Sequence, residues 1–346
     1  MVEKNLDFRS DTTTWPSPEM REAAAKAVVG DMGYGEDPTV NELERIAAET
    51  FGKEAAAFCT SGTQGNCMSL LAHTSRGDSF ILEANAHVYK MEGGHYSVFG
   101  GLLPKLIQGV DGWLKPEDIV ANIGRIPKTG PRTSLLCLEN THLSSGGSPI
   151  TPAQHKVDWE VAKKYGLSVH VDGARIWNAS VALNVPVKEI AQYADSIQAC
   201  LSKGLAAPVG SVVVGDKEFI DRAKHWRHLL GGNMRQAGII AAPGIIAITK
   251  MVSRLREDHE NARFLSNGLQ KLGIKLRFPV KTNMLFIDYS SIGWTGEDWS
   301  KACASLGWKS GGGSSGTRLV VHYGMEREDF EKLLNGLTVL IDKNKK

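Results

Sequence analysis

Two apolar spacings alternate along the chain from about Pro16 to Gly215, one helical and one extended. In PEMREAAAKAVVG (18–30) and NELERIAAETFG (41–52) the apolar residues recur at helical intervals and a glycine follows, which predicts two helices closed by glycine. AAAFCTS (55–61) is a short apolar run, and GTQGNCMSLLAHT (62–74) starts on glycines and continues as a helix. SFILEA, TSLLCLEN, LSVHVDGAR and SIQACLS then read as strands, with HKVDWEVAKKYG (155–166) a helix before the third of them. Strands alternating with helices predict an α/β domain on a mostly parallel sheet. From about Ile245 the pattern changes: IIAITKMVSRLREDHENARFLSNGLQKLG (245–273) reads as one long helix, short strands follow, and REDFEKLLNGLTVLIDK (327–343) closes as a helix. The expected division is a large domain over 1–250, with an N-terminal arm, and a smaller α+β domain over 251–346.

Length and composition support that division and narrow the function. The 346 residues suggest roughly two domains. Forty basic against thirty-eight acidic residues, a formal charge of +2, give no field that would gather nucleic acid or an anionic membrane, so a small-molecule partner is expected. The five cysteines are scattered through apolar runs without C-x-x-C or zinc spacing and read as reduced core residues. The N-terminus lacks the apolar stretch of a signal peptide, and no segment approaches the ~18 uninterrupted apolar residues that span a bilayer. A soluble cytoplasmic protein is expected.

One residue stands out against this pattern. Lys203 interrupts the small and apolar stretch SIQACLSKGLAAPVGSVVVG (196–215), a strand, a tight turn and a second strand. Desolvation there disfavours the ammonium and favours the free amine that a Schiff-base lysine needs, although a lysine at a strand end can also simply reach solvent. Asp172 closes the strand LSVHVD, where parallel strands deliver side chains to the ligand-binding edge of a sheet, and it also fits the cap of the next helix. There an aspartate can hold a pyridinium nitrogen protonated. TSGTQGN (60–66) joins strand to helix through small residues, a phosphate cradle that matches neither nucleotide-binding glycine pattern. Phosphate loop, strand-end aspartate and turn lysine occur in the order of a fold-type I pyridoxal phosphate (PLP) enzyme.

The segments DFRSDTTTWPSPEM, GDMGYGEDPTVNELE, SGTQGN, LENTH, HVDGAR, CLSKGLAAPVGS, GGNMRQAGIIAA and TNMLF resemble, nearly end to end and in order, those of the low-specificity L-threonine aldolases of the aromatic amino acid β-eliminating lyase superfamily. The resemblance implies that Lys203 bonds the cofactor and that Asp172 pairs with its pyridine nitrogen. Gly62 and Thr63 match the phosphate loop, and His87 of NAHVY matches the histidine stacked on the cofactor ring. Arg175 of HVDGAR resembles an arginine near the cofactor's 3-oxygen and the substrate carboxylate. Ser10 and Arg318 match further carboxylate-binding positions. His142 of LENTH resembles a residue near the substrate hydroxyl, and Tyr34 and Arg235 match residues that complete the site of a neighbouring subunit in a homotetramer, a dimer of dimers. His73, His155, His170 and His259 have no comparable context and read as structural.

The implied reaction is the reversible retro-aldol cleavage of L-threonine, L-allo-threonine and related β-hydroxy-α-amino acids to glycine and an aldehyde. His87, His142 or a water is the base. A β-eliminating lyase or racemase on the same scaffold, or a catalytically silent PLP-fold binding protein, is the alternative. No metal ligand set is read. Two positions depart from the family pattern: Leu143 follows LENTH where asparagine is usual, and His228 stands where lysine is common.

Overall fold

The computed structural model describes residues 4–123 and 130–344. Seven strands form the central sheet in the order β1-β7-β6-β5-β4-β2-β3: β1 (Ala55–Cys59), β2 (Ser79–Glu83), β3 (Leu103–Ile107), β4 (Thr133–Glu139), β5 (Ser168–Asp172), β6 (Ser196–Cys200) and β7 (Ser211–Gly215). The pairs from β6 through β3 are parallel, and β7 runs antiparallel to both of its neighbours. The expected α/β architecture with a mostly parallel sheet is what the chain forms.

Strand alternation explains why both faces of this sheet are covered. In β1, Ala56 and Phe58 join the core with Val40, Leu43, Ala47 and Phe51 of the helix Pro38–Phe51. Ala57 and Cys59 point the other way, against Met68 of the helix Gly62–His73 and Phe219 and Ala223 of the helix Lys217–Leu229. Side chains of a strand face alternate sides, so a strand buried on both sides reads as a continuous apolar run.

β3 breaks that rule and is absent from the sequence-based reading. It is the sheet's edge, with Leu103 and Leu106 exposed and Pro104 as its second residue. An edge strand tolerates proline because one side of its backbone has no partner to bond. The helix predicted over 245–273 is also divided. Helix Gly238–Ile246 runs through a π-helical turn, Ala247–Met251, and a bend of 68° separates it from helix Leu255–Lys271. The bend serves two cores: Leu255 lies in the large one, whereas Ala262, Leu265 and Leu269 face a second. The first predicted helix, Pro18–Ala25, stops short of Gly30. Gly30 meets a different need, since a Cβ there would lie 2.2 Å from the Glu36 carbonyl oxygen.

The second core is built on the sheet β10-β9-β8, with β8 (Lys275–Leu276), β9 (Met284–Asp288) and β10 (Gly316–Val320) antiparallel, and on the helices Gly296–Ser305 and Arg327–Asn344. The N-terminal segment belongs to it in space. Phe8 stacks on Trp308 at 4.2 Å, its N–H donates to the Lys309 carbonyl (2.8 Å), and its carbonyl accepts from Val320 (2.9 Å). The chain then leaves this core at Ser10 and Asp11. Among the described residues no single helix is long and apolar enough to cross a membrane, and the bent pair that passes such a test by composition is largely buried here.

Candidate active site

The carboxyl ends of four neighbouring parallel strands present Glu83 (β2), Glu139 (β4), Asp172 (β5) and Cys200 (β6) along one edge. A cavity of about 240 Å³ opens there, lined among others by Gly62, Thr63, His87, Asp172, Ser202 and Lys203. A wider hollow near Trp15 and Tyr323 is lined by Lys4, Arg21 and Glu326 and takes no residue from these strand ends.

Lys203 reaches the cavity from the β6–β7 connection. The turn is held by Leu201 N–H to the Gly210 carbonyl (3.1 Å), Ala207 N–H to the Leu201 carbonyl (3.0 Å) and Ala206 N–H to the Lys203 carbonyl (2.9 Å). Leu201, Leu205, Ala206 and Ala207 are buried around it. The Lys203 amine makes no hydrogen bond or ion pair among the described residues.

Asp172 forms the cavity floor and is 1 % exposed. Its Oδ1 accepts from Ala174 N–H (3.1 Å) and, with the Gln198 amide turned so that both its ends are satisfied, from Gln198 (3.1 Å). Its buried Oδ2 has no partner among the described residues. Burial, followed by the charges of Glu92 and Glu139, pushes the carboxyl up to about 6. An unpaired buried carboxylate oxygen is costly, and a pyridinium N–H is the donor that would satisfy it. At the other end of the cavity Ser61 caps the helix Gly62–His73, taking the Gln64 N–H at 3.1 Å. The N–H groups of Gly62 and Thr63, first in that helix, have no carbonyl a turn behind them and are free for an anion such as phosphate. Lysine, unpaired aspartate and open helix end thus fit PLP.

His87 begins a short helix after β2. The turn that carries it is pinned by two buried carboxylates: Glu139 accepts the His87 N–H (2.7 Å) and Glu83 the Asn85 N–H (2.5 Å). The ring's Nδ1 lies 2.9 Å from Glu92. Donor atoms of His87, Glu92 and Asp172 lie within 4.8 Å of one another. Glu92 already receives Asn66 and His95 as well as His87, so the group is better satisfied as a hydrogen-bonded cofactor floor than as a cation site.

Arg175, fully within the interior, forms a bidentate pair with Asp11, Nε to Oδ2 at 2.8 Å and Nη2 to Oδ1 at 2.6 Å. Burial works against the Asp11 charge, but the Arg175 guanidinium holds that carboxyl far below the usual carboxylate range. Arg318, half-buried on β10, donates to the Arg9 carbonyl (3.0 Å) beside Ser10, and burial and the nearby Arg175 charge lower its pKa. Asp11 bonds Arg175 alone, so the Arg318 charge is left in excess and suits an incoming carboxylate, although Ser10, Arg175 and Arg318 do not themselves line the Lys203 cavity. Ser10 caps the turn holding Asp11, its Oγ accepting from Thr12 N–H.

His142 lies elsewhere. It is 1 % exposed, does not line the cavity, and has both ring nitrogens engaged, Nε2 with Glu83 (3.1 Å) and Nδ1 with Ser145 (2.9 Å). Leu143 packs with Met284 and Val320. Tyr34, 80 % exposed, lines a separate hollow with His228. Arg235 is exposed nearby and faces Asp31 at 3.6 Å. Neither Tyr34 nor Arg235 is brought to the Lys203 cavity of its own chain. Of the four histidines read as structural, His170 and His259 are buried against Ser196 and Asn178, His73 is partly exposed and bonds Ser196, and the buried His155 bonds Asn140 through Nε2 while its Nδ1 has no partner among the described residues.

Asp11, Asn66 and Glu92 escaped the sequence reading. Glu92 was marked only by lying about one helical turn beyond a site histidine and directly before two glycines.

The sequence profile of the family described as beta-eliminating lyase matches residues 7–291. The low-specificity L-threonine aldolase 1 of Arabidopsis thaliana is 42 % identical over 97 % of this chain and 96 % of its own length. The low specificity L-threonine aldolase of Escherichia coli K12 is 46 % identical over 82 % of this chain and 84 % of its own. A solved Leishmania major threonine aldolase superposes with a TM-score of 0.82 at 20 % identity, over 97 % of this chain and 99 % of that one, a likeness of fold.

Proposed function

The chain belongs to the β-eliminating lyase family, whose members are PLP-dependent, and from that membership and the cavity's geometry we propose that it cleaves L-threonine, L-allo-threonine and related β-hydroxy-α-amino acids to glycine and an aldehyde. The carrying observation is the convergence of Lys203, Asp172 and His87 on one cavity. PLP, when bound, supplies the sink for the electron pair released from the Cα–Cβ bond. Lys203 holds the cofactor, Gly62 and Thr63 its phosphate, and Asp172 the proton on its ring nitrogen. Arg175, Arg318 and Ser10 would take the substrate carboxylate and so orient the substrate, and a substrate held in one orientation exposes one bond to reaction. His87 removes the β-hydroxyl proton, directly or through a water, because its Nε2 makes no bond among the described residues whereas both nitrogens of His142 are taken. His142 instead fixes Glu83 under the His87 turn. The free, buried cysteines suit a reducing compartment, the cytoplasm.

Steady-state assays with L-threonine, L-allo-threonine, L-serine and a β-aryl serine, with product identification, test this reading. Glycine and the matching aldehyde are expected from the β-hydroxy substrates. Ammonia and a keto acid as main products would establish β-elimination instead.

We also infer a homotetramer of dimers in which Tyr34 and Arg235 complete a neighbour's site, supported by their exposure and their distance from their own chain's cavity lining. Lys203→Ala and Arg235→Ala, each inactive alone, should regain activity when their subunits exchange, since about one site in four is then intact. No recovery after demonstrated exchange would make Arg235 either a residue acting within its own chain or a purely structural one, and would overturn its role in trans.

A further inference from the structure

We propose that Glu92 is a positioning residue for the proposed aldol cleavage: it fixes His87 in the Nδ1–H tautomer, leaving Nε2 as the ring's proton acceptor at the cavity. The proposal rests on the reading of His87 as the base and adds what makes it one.

The hydrogen bonds around Glu92 run in one direction only. A carboxylate accepts and does not donate, so His87 Nδ1 (2.9 Å to Oε1) and His95 Nε2 (2.7 Å to Oε2) must each carry a proton. Asn66 donates its Nδ2 to Oε1 at 2.9 Å, so its Oδ1 must accept from His170 Nε2 at 3.2 Å. His170 Nδ1 is then an acceptor and takes the Ser196 hydroxyl at 2.8 Å. The Ser196 oxygen in turn takes a proton from His73 Nε2 at 2.7 Å. Every donor from His73 inward is aimed at Glu92.

Burial keeps this arrangement from rearranging. His73 and His170 are pushed down to about 3, chiefly by desolvation, and stay neutral across the working range. Glu92 is 6 % exposed, and although burial opposes its charge, the bonds from His87 and His95 hold the carboxyl at about 2. The Asn66 amide interrupts any proton relay, so the chain positions the carboxylate and does not conduct protons. His73 lines an outer hollow with Arg222 and Trp226, so this ordered row runs from that hollow along the helix Gly62–His73 to the cavity. The charges around His87 are Glu92 on its own segment, Asp172 at the end of β5, Lys203 from the β6–β7 turn, and Glu139 at its backbone N–H. Among these, Glu92 alone bonds the ring.

The test is the ¹⁵N spectrum of histidine-labelled holoenzyme, read with kinetics on Glu92→Gln and Glu92→Asp. In the wild type the neutral His87 ring should carry its proton on Nδ1. A glutamine can turn its NH2 toward the ring, so Glu92→Gln should populate the Nε2–H form. It should lower kcat on the order of tenfold to a hundredfold with little change in KM. The Glu92 bond is the largest influence raising the His87 pKa, so the acidic limb of kcat/KM should move to lower pH in Glu92→Gln. Glu92→Asp should restore part of kcat and of the limb's position. A wild-type ring protonated on Nε2 would overturn the proposal even if every variant failed to fold, and so would a Glu92→Gln enzyme with an unmoved pH profile. If Nδ1–H is found but His87→Ala keeps its kcat, the base assignment fails while the role of Glu92 in setting the tautomer stands.

Discussion

Lys203→Ala is expected to abolish turnover, lowering kcat by several orders of magnitude while leaving the fold intact. Both halves follow from how the residue is held. The turn relies on the Lys203 backbone carbonyl and on buried neighbours, and the amine bonds to nothing among the described residues, so truncation removes no contact of the polar end there. A stability change within about 0.5 kcal/mol is expected, as for surface substitutions away from special features. The chemistry loses the only primary amine that lines the cavity among the described residues. Covalent catalysis by a lysine depends on a nucleophilic nitrogen placed against the cofactor's carbonyl carbon, and alanine offers none. The variant should still retain PLP weakly through the Gly62 and Thr63 N–H groups, with its visible absorbance altered. Borohydride should fix the cofactor to Lys203 in the parent protein. Reduced cofactor found by mass spectrometry on another lysine, or a variant with near-normal kcat, would remove Lys203 from its assigned role.

Those features of the fold that a continuous apolar run can announce were legible in the chain. β2, β4, β5, β6 and β7 are buried on both faces, and each was read as a strand. β3 was not, because an edge strand needs apolar contact on little of its surface and Leu103–Ile107 is mostly solvated. The bend after Met251 was hidden for the opposite reason. Local periodicity is helical on both sides of it, and only the presence of two separate cores explains why the axis turns. The pairing of Leu6 and Phe8 with residues 309 and 320 is likewise a contact across nearly the whole chain, for which a short N-terminal segment carries no local signal.

The site divides in the same way. Lys203, Asp172 and the Gly62 loop each break a local expectation, a charge in an apolar turn, an acid at a strand end, glycines opening a helix, and each lines the cavity. Asp11 and Glu92 break none. An acidic residue near a helix start or a loop is ordinary, and what marks these two is partners that only the fold supplies, Arg175 for Asp11 and the Asn66–His170 row for Glu92. His142 shows the converse. Its motif is conspicuous, yet the fold turns its ring away from the cavity and onto Glu83.

Asp172→Asn should have effects of opposite sign on catalysis and on the stability of the cofactor-free protein. In the proposed holoenzyme the carboxylate would accept the ring-nitrogen proton and hold it as charge develops. An amide is neutral, and of its two ends the NH2 offers a second donor where an acceptor is required. The stabilisation lost is of the preorganised electrostatic kind, worth several kcal/mol, so kcat should fall by about two to three orders of magnitude or more. Without cofactor the balance reverses. The Asp172 carboxyl stands at about 6 in the folded chain, against 3.8 for an ordinary aspartate. The folded state therefore binds the proton more tightly than the unfolded state. Stability falls as pH rises from 3.8 through 6, and the penalty is complete above that range. Asparagine carries no such penalty, so the cofactor-free variant should melt above the cofactor-free parent at neutral pH, by on the order of 3 kcal/mol at most, and the two should converge below pH 4 or so. Adding PLP should stabilise the parent far more than the variant, since the ring nitrogen supplies the partner that Oδ2 lacks. A variant that lost activity and also melted lower at every pH would make Asp172 a packing residue, and one with near-normal kcat would take it out of the cofactor site.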